Sequence, residues 1–560
     1  MAKIHTLKIS NYRGVEKFDQ TFGMSNFICI IGRGDSGKST ILQSISAVLS
    51  PNWNYSFYDT DFHNGNIEEP IEIEVSLYDL PPALLSEAKF GFHKRLLNKS
   101  GQIIDDLSSE DSEDNTDILT IKLQVNKDLE PKWYIVNNRA NQECIEISAS
   151  DRAKFNVYLI SDYLDKHFSW SKGNPLYSML KQDVSDQEKS NIIIDALREA
   201  KEKVDKSSFD HLNKVIKKVE ETASSLGLNI SNTTTTIDFK DISVKEDKVC
   251  LHENNVPFRQ KGKGSKRLVS IAIQLGLIEA SSILLIDEIE QGLEPDRTRF
   301  LVTQLKKQKH GQIFITTHSS NVLVELDADN IFLMKNGASN LVNFDSKFQG
   351  CLRNNPEAFF SRKILVCEGA TEVGICRTLN NYRISHGKEN FAIMGIGIVD
   401  GTGSNLVEYS KSFKKVGFET CIFCDSDDAS TNSKKEELKT LDIEVVDCEN
   451  GNSIEQQLFN DLNWNKVQEL TSYAIEEKGI DSIEKSVKNN NHNTLPENWQ
   501  VNDDKNIRLV LGKSAKEKGW FKRIDHGEFI GKIWFDSLSE LRGAKLESQF
   551  NNLTKWLDND

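Results

Sequence analysis

The stretch Gly32-Arg33-Gly34-Asp35-Ser36-Gly37-Lys38-Ser39 limits what this chain can fold into more than any other. It follows the continuous apolar run Phe27 to Ile31 and opens an apolar-periodic segment from about Ser39 to Leu49. That order predicts a buried strand, a glycine-rich loop and a helix start, which together form a phosphate cradle. Glycines let backbone N–H groups wrap phosphate oxygens, and the helix N-terminus favours negative charge. In this frame Gly32, Gly34, Asp35, Ser36 and Gly37 shape the loop. Lys38 meets the β- and γ-phosphates of a nucleotide, and the Ser39 hydroxyl, beside Thr40, helps to hold Mg²⁺.

A second apolar run, Ile283 to Ile286, ends in Asp287 and Glu288. After a phosphate loop, such a strand supplies one carboxylate that binds Mg²⁺ through water (Asp287) and one that polarises the attacking water (Glu288). The nucleotide is therefore read as ATP with Mg²⁺. Gly262 to Arg267 precedes an apolar helix, Leu268 to Ile278. This resembles the ABC signature of SMC-like DNA-repair ATPases, whose Ser-Gly-Gly core is here Lys263-Gly264-Ser265. The resemblance implies that Gly264 and Ser265 grip the γ-phosphate of ATP bound to another subunit. His318, after the short strand Ile313 to Thr317, resembles the switch histidine of that class, and Glu294-Pro295-Asp296 resembles its D-loop. A signature acting in trans implies a homodimer or higher oligomer.

A chain of 560 residues exceeds what one hydrophobic core supports, so several domains are expected. The net charge of −15 argues against a protein that coats DNA by excess Lys and Arg. It leaves room for an enzyme whose clustered carboxylates hold a metal and whose basic channel is local. The nine cysteines are scattered and form no disulfide framework. Met1 to Ser10 mixes basic and apolar residues unlike a signal peptide, and no run approaches the length that spans a bilayer. The expectation is a cytoplasmic protein without a membrane partner.

Strand patterns occupy residues 4–31 and Ile71 to Leu77. Residues 101–120 carry seven acidic residues and no Lys or Arg, the composition of a solvated loop. From about 150 to 226 the pattern turns helical. Phe209, Leu212, Ile216, Val219, Ala223 and Leu226 form one apolar stripe, suited either to a core face or to a dimerising arm. Strand patterns return near 236–251. A break rich in Asn, Ser and Gly falls at 337–361, the Asn-rich tract Lys485 to Thr494 reads as a loop, and the last sixty or so residues read as helical. The expected division is an ATPase N-terminal part (1–150), a helical insertion (151–230), an ATPase C-terminal part (231–345), a second α/β domain (362–460) and a helical extension (461–560).

The second domain has its own chemistry. Lys363 to Cys367 is a strand ending at Glu368, followed by a glycine turn and a helix start carrying Glu372. Cys421 to Cys424 is another strand, ending in Asp425-Ser426-Asp427. Carboxylates at the ends of neighbouring parallel strands converge at the sheet's C-terminal edge. An oxygen-rich cluster of this kind suits Mg²⁺ or Mn²⁺ and can serve phosphodiester cleavage. Cys421 and Cys424 have CxxC spacing, but on a strand they point to opposite faces and read as buried structural thiols.

The phosphate loop, the carboxylate strand, the helical insertion and the later Glu-Gly-Ala-Thr-Glu and Asp-Ser-Asp motifs resemble, in order and spacing, the overcoming-lysogenization-defect family. The resemblance covers about 1–460. It implies an α/β chain: an ABC-type P-loop ATPase with a helical dimerisation insertion, then a Rossmann-like Toprim nuclease domain and a helical C-terminal region. It also implies that Glu368, Glu372, Asp425 and Asp427 bind metal, with Asp400 and Glu455 as further acids. A downstream lysine, Lys522 or alternatively Lys513 or Lys516, would contact the scissile phosphate.

The leading expectation is a divalent-metal-dependent DNA endonuclease or nickase, gated by ATP and acting in anti-phage defence. Its partners would be DNA, a second copy of the chain, and a defence partner such as a reverse transcriptase with its RNA/DNA. The alternative is a nucleotide-sensing ATPase scaffold whose Toprim domain binds nucleic acid or an effector. A topoisomerase or primase shares the Toprim motif but needs no ABC head, and neither Tyr382 nor Tyr409 is marked as a nucleophile.

Overall fold

The computed structural model describes residues 2–107, 115–169, 250–278, 283–309, 311–495 and 498–559, together with 174–176, 178–179, 199, 202–203, 206 and 210–225. The chain divides into two compact units. The first comprises Met1–Phe27, Ser39–Glu294 and Lys307–Ile315, and the second comprises Ile28–Lys38, Pro295–Lys306 and Thr316–Asp560.

In the first unit an antiparallel sheet is built on β1 (Lys3–Tyr12), β2 (Val15–Thr21), β4 (Ile71–Tyr78), β7 (Thr116–Val125) and β8 (Pro131–Val136), with short strands β5 (Arg95–Leu97), β6 (Ile103–Ile104) and β9 (Ile145–Glu146). Its order is β2-β1-β4-β7-β5-β6, with β8 and β9 continuing from β7. One face alternates inward through Ile71, Ile73, Val75 and Leu77, all fully buried, the period-2 pattern of a half-buried strand. The same unit holds three parallel strands in the order β10 (Tyr158–Ile160), β13 (Ile283–Ile286) and β14 (Gln312–Thr316). A small hairpin joins β11 (His252–Glu253) and β12 (Val256–Pro257).

In the second unit β3 (Phe27–Ile31) pairs parallel with β15 (Ile331–Leu333), which pairs antiparallel with β16 (Val342–Asn343). A separate sheet of four parallel strands follows: β17 (Lys363–Cys367), β18 (Ile396–Asp400), β19 (Glu419–Cys424) and β20 (Glu444–Asp447). Their spatial order is β18-β17-β19-β20. Cys367 lies level with Asp400 on one side and with Phe423 on the other, so β17 and β18 end flush and β19 runs one residue further. Helices Ala370–Ser385, Ile454–Asp461, Lys505–Glu517, Ile524–Asp536 and Lys545–Asp558 enclose the sheet. Ala370–Ser385 and Ile524–Asp536 meet at backbone distance. A Cβ on Gly374 would lie 2.7 Å from the Glu528 nitrogen and from the Gly527 Cα, and one on Gly531 would lie 2.9 Å from the Thr378 Cβ.

Four expectations change. The Asn-rich tract at 485–494 lies mostly within a helix, Ile480–Asn490, because Ile483 and Val487 sit four apart and are fully buried; side-chain polarity at the other positions leaves that stripe intact. The break at 337–361 is packed structure, since Phe344, Phe348 and Phe359 interlock with Phe413 at centroid separations of 4.9–6.0 Å. The helical reading from 150 fails at Tyr158–Ile160, which forms β10 beside β13 because this short run is apolar and ends level with Ile286. The acidic 101–120 tract includes β6 and the start of β7, where Ile118 and Leu119 are buried; its residues 108–114 fall outside the described ones. Of the apolar stripe, Asp210–Ser225 is a helix on which Val215 and Val219 are exposed, while Phe209 and Leu226 lie outside the described residues, as do nearly all of 236–251. Among the described residues no helix is long and apolar enough to cross a membrane.

Candidate functional site

The phosphate loop begins where β3 ends. Gly32 has φ +154, and a Cβ there would collide with the Met334 carbonyl, so only glycine fits. Asp35 and Gly37 also take positive φ, 58° and 96°. Such turns aim successive N–H groups into one concavity. Lys38 is buried; its Nζ donates to the Arg33 carbonyl at 2.7 Å and to Ser36 Oγ at 3.2 Å, folded back over its own loop. The helix Lys38–Val48 starts directly from this lysine.

Within the first unit, Ser39 Oγ donates to Asp287 Oδ1 at 3.0 Å. These are the two side chains expected to share Mg²⁺, and they share a proton where the ion would sit. Glu288 follows with φ 50. The Arg267 guanidinium is buried and donates to the Asp287 carbonyl and to Gln291 Oε1 (2.8 Å), tying its own helix to the carboxylate turn. That helix runs Lys263–Ile278, so Gly264 and Ser265 lie in its first turn. Gly264 has no room for a Cβ because the Gly292 carbonyl abuts it. In the second unit His318 is exposed, with its ring 6.4 Å from that of Phe360.

The second site lies at the adjacent C-terminal ends of β17 and β19. Glu368, Asp425 and Asp427 each present an oxygen within 4.8 Å of the others. Glu368 Oε2 accepts the Asp425 N–H at 2.9 Å, which locks the two strand ends together. Asp425 Oδ1 accepts the Ile454 N–H at 2.7 Å, from the start of a helix, where the dipole favours a carboxylate. Glu372, on the first turn of Ala370–Ser385, accepts the Gly369 N–H at 3.0 Å and is buried. Glu455 is fully buried, and neither of its oxygens has a hydrogen-bond partner. Among the described residues its ion-pair partner is Lys522 Nζ at 3.4 Å, and Lys516 pairs with Asp427. Lys513 pairs instead with Glu517, at 3.9 Å.

Electrostatics follow from this crowding. Burial, then repulsion from Glu372, Glu455, Glu368 and Asp427, pushes the Asp425 carboxyl up to about 9. Burial and Glu455 raise Glu372 to about 8, and burial raises Glu368 despite the Asp425 N–H. Burial works against the Lys522 ammonium, yet Glu455, Glu372 and Asp425 hold its pKa above the ordinary lysine value. So many carboxylates in one partly dry place are costly unless a cation joins them. A hard divalent ion fits the donor set, since three carboxylates present oxygens within 4.8 Å of one another and both oxygens of buried Glu455, whose charge acts on Asp425, lack hydrogen-bond partners.

Of the six acids expected at this metal, Glu372, Glu455 and Asp400 stand outside the three whose oxygens converge, and Asp400 is also engaged by its own turn. It ends β18 level with Cys367, but its Oδ1 accepts the Thr402 N–H at 2.7 Å and caps its own turn. It is not among the three acids that converge. The reason is local: Thr402 and Gly403 both take positive φ, and a turn of that kind recruits the preceding carboxylate. Lys516, an alternative in the sequence, is brought onto Asp427 along with Lys522 onto Glu455; only the packing of Lys505–Glu517 against Ile454–Asp461 places it there. Cys421 and Cys424 are both buried. Cys367 and Cys376 lie 3.6 Å apart, Sγ to Sγ, beneath the acids.

Two family models match the chain. One, described as AAA domain, putative AbiEii toxin, Type IV TA system, covers residues 27–325. The other, described as overcoming lysogenization defect protein-like, TOPRIM domain, covers 359–427. A curated relative, the Retron Ec83 probable ATPase of Escherichia coli, is 26% identical over 400 residues, 60% of this chain and 72% of that protein. Among solved structures, the SmcHead bound to the C-winged helix domain of ScpA is 16% identical over 61% of this chain and 97% of its own, with a TM-score of 0.33. RecF-ATPrS, the recombination mediator of the RecFOR pathway, is 15% identical over 61% and 98%, with a TM-score of 0.32.

Proposed function

Because the chain belongs to the AAA-domain family described as putative AbiEii toxin, Type IV TA system, and carries an overcoming-lysogenization-defect-like TOPRIM domain behind its ATPase, we propose that it is an ATP-regulated, divalent-metal-dependent DNA endonuclease or nickase. The observation that carries this reading is the convergence of Glu368, Asp425 and Asp427, with buried Glu372 and Glu455 behind them and two lysines at the rim.

In this reading Glu368, Asp425 and Asp427 hold Mg²⁺ or Mn²⁺, with Glu372 and Glu455 completing the set. The ion supplies Lewis-acid stabilisation of charge developing on the phosphodiester. The protein residues do the rest. The Asp425 N–H bond to Glu368 and the Ile454 N–H bond to Asp425 fix the acids before substrate arrives, so little reorganisation remains at reaction. Lys522 and Lys516 face the backbone phosphate, and each exchanges a carboxylate partner for it. Water attacks phosphorus as the bond to the leaving oxygen breaks; the water's proton passes to solvent, and the leaving oxygen takes a proton from Lys522, which the acids keep protonated until then and which solvent recharges.

At the ATPase site Lys38 unfolds from its loop onto the β- and γ-phosphates. Ser39 and Asp287 take Mg²⁺, Glu288 orients water, and His318 faces the γ-phosphate. Gly264 and Ser265 act on ATP bound to a second copy, which makes the working unit a homodimer. The retron in the relative's name supports a role in anti-phage defence, beside a partner such as a reverse transcriptase with its RNA/DNA.

The test is a labelled-oligonucleotide cleavage series with the full chain in Mg²⁺, Mn²⁺ or EDTA, with and without ATP. The reading expects metal-dependent products that vanish in Glu368→Gln and change in rate with Lys38→Ala. Products that persist in EDTA or in Glu368→Gln would assign the cutting to another site or to a contaminant.

A further inference from the structure

Two contacts in the second unit, one from the phosphate loop and one from the segment after β15 that packs on it, end on the glycines just before two strands of the Toprim sheet. Gly395 directly precedes β18 and has φ +73; the space a Cβ would fill there is taken by Arg33 Nη1, from the phosphate loop. Gly417 lies two residues before β19 and has φ +84; its Cβ space is taken by Lys335 Nζ. The same Nζ donates to the Gly417 carbonyl at 2.5 Å and lies 5.8 Å from the Phe418 ring centroid. Lys335 follows Met334, whose N–H donates to Ile31 at 2.7 Å and whose carbonyl abuts Gly32. Both cationic tips are thus anchored on the backbone that shapes the phosphate loop.

β18 and β19 are the two neighbours of β17, one on each side. The tips touch the N-terminal ends of these strands, and the acids stand at or beside the C-terminal ends of β17 and β19. Rigid secondary elements are one route by which two sites couple, and these two strands run from the sockets to the edge that carries the acids. A polyphosphate on the loop attracts the Arg33 guanidinium, which sits one residue beyond Gly32 and five before Lys38. Phosphate and the Gly395 socket therefore compete for one side chain.

We propose that Arg33 and Lys335 are positioning residues that couple the nucleotide loop to the Toprim acids through the glycine sockets at Gly395 and Gly417. This deepens the reading of an ATP-regulated nuclease, but it concerns only transmission and can be judged without any cleavage. The experiment is amide hydrogen exchange on the full chain, with and without a non-hydrolysable ATP analogue at concentrations that saturate each variant. In the wild type the analogue changes exchange in peptides covering 396–400 and 419–424 by about fivefold or more, the lower end of ordinary coupling. In Arg33→Ala the change at 396–400 disappears, and in Lys335→Ala the change at 419–424 disappears, while the phosphate loop itself stays protected by the analogue. Wild-type peptides that ignore the analogue overturn the proposal, as do changes that survive in both variants. A chain that shows the pattern yet cuts no DNA keeps this inference and loses the nuclease. A chain that cuts DNA without the pattern does the reverse.

Discussion

Replacing Asp425 by Asn separates what the acid costs from what it does. The side chain keeps its shape, and its Oδ1 still accepts the Ile454 N–H. What disappears is an acid that burial, then Glu372, Glu455, Glu368 and Asp427, push up to about 9, so that the metal-free fold must hold it protonated at neutral pH. Replacing an acid that folding must protonate by a neutral amide of the same shape stabilises by ~1–3 kcal/mol at neutral pH. For a unit of this size, 1 kcal/mol shifts the melting midpoint by about 2–4 °C. Asp425→Asn is therefore expected to melt about 2–12 °C above wild type in EDTA. In Mn²⁺ the order narrows or reverses, because ligand at a hundred times its Kd stabilises the wild type by about 2.7 kcal/mol and the variant by less. Differential scanning calorimetry of both proteins in EDTA and in Mn²⁺ reads this directly. An Asp425→Asn protein that melts below wild type in EDTA, or that gains as much from Mn²⁺, would refute the reasoning that this cluster is a strained cation site.

Three further outcomes follow from other parts of the fold. Gly527→Ala drives a Cβ against the Thr371 carbonyl and to 3.0 Å from the Gly374 Cα, so chemical denaturation should show a loss of ~1–3 kcal/mol, where an exposed glycine-to-alanine change in a helix would gain. His167 is buried, and its pKa is lowered to about 4 by that burial. The unfolded chain takes this proton below about 6.5 and the folded chain only below about 4, so its stabilising share is full above pH 6.5 and lost as pH falls toward 4. The loss is on the order of 3 kcal/mol, and urea midpoints against pH should flatten in His167→Gln. Lys522→Ala should slow single-turnover cleavage by ~10²-fold, the usual cost of one charge-stabilising donor, with the metal-induced rise in melting temperature retained.

How far the sequence reaches depends on whether a signal is local. The phosphate loop, the strand Ile283–Ile286 and the strand ends at Glu368 and Asp425 were legible because each is a short apolar run followed by its own chemistry. The helix at 480–490 was hidden because its Asn and Lys residues outnumber the two buried positions, Ile483 and Val487, that make it pack. The aromatic cluster around Phe359 joins residues from three segments, a relation no window of sequence holds. Asp400 stands at the right strand end, yet its turn claims its carboxylate. Lys516 reaches Asp427 only through helix packing. The glycines at 374, 527 and 531 signal close helix contact, but only the fold says with whom.

The central claim is that the acids at the ends of β17 and β19 cut DNA with a divalent ion. Its most direct test is conversion of supercoiled plasmid to nicked or linear form by wild type and Asp425→Asn, side by side in Mn²⁺. The account predicts conversion by the wild type alone, even though the variant is the more stable protein in EDTA. Equal conversion by both would place the chemistry elsewhere, and conversion by neither, with or without ATP, would contradict an autonomous nuclease.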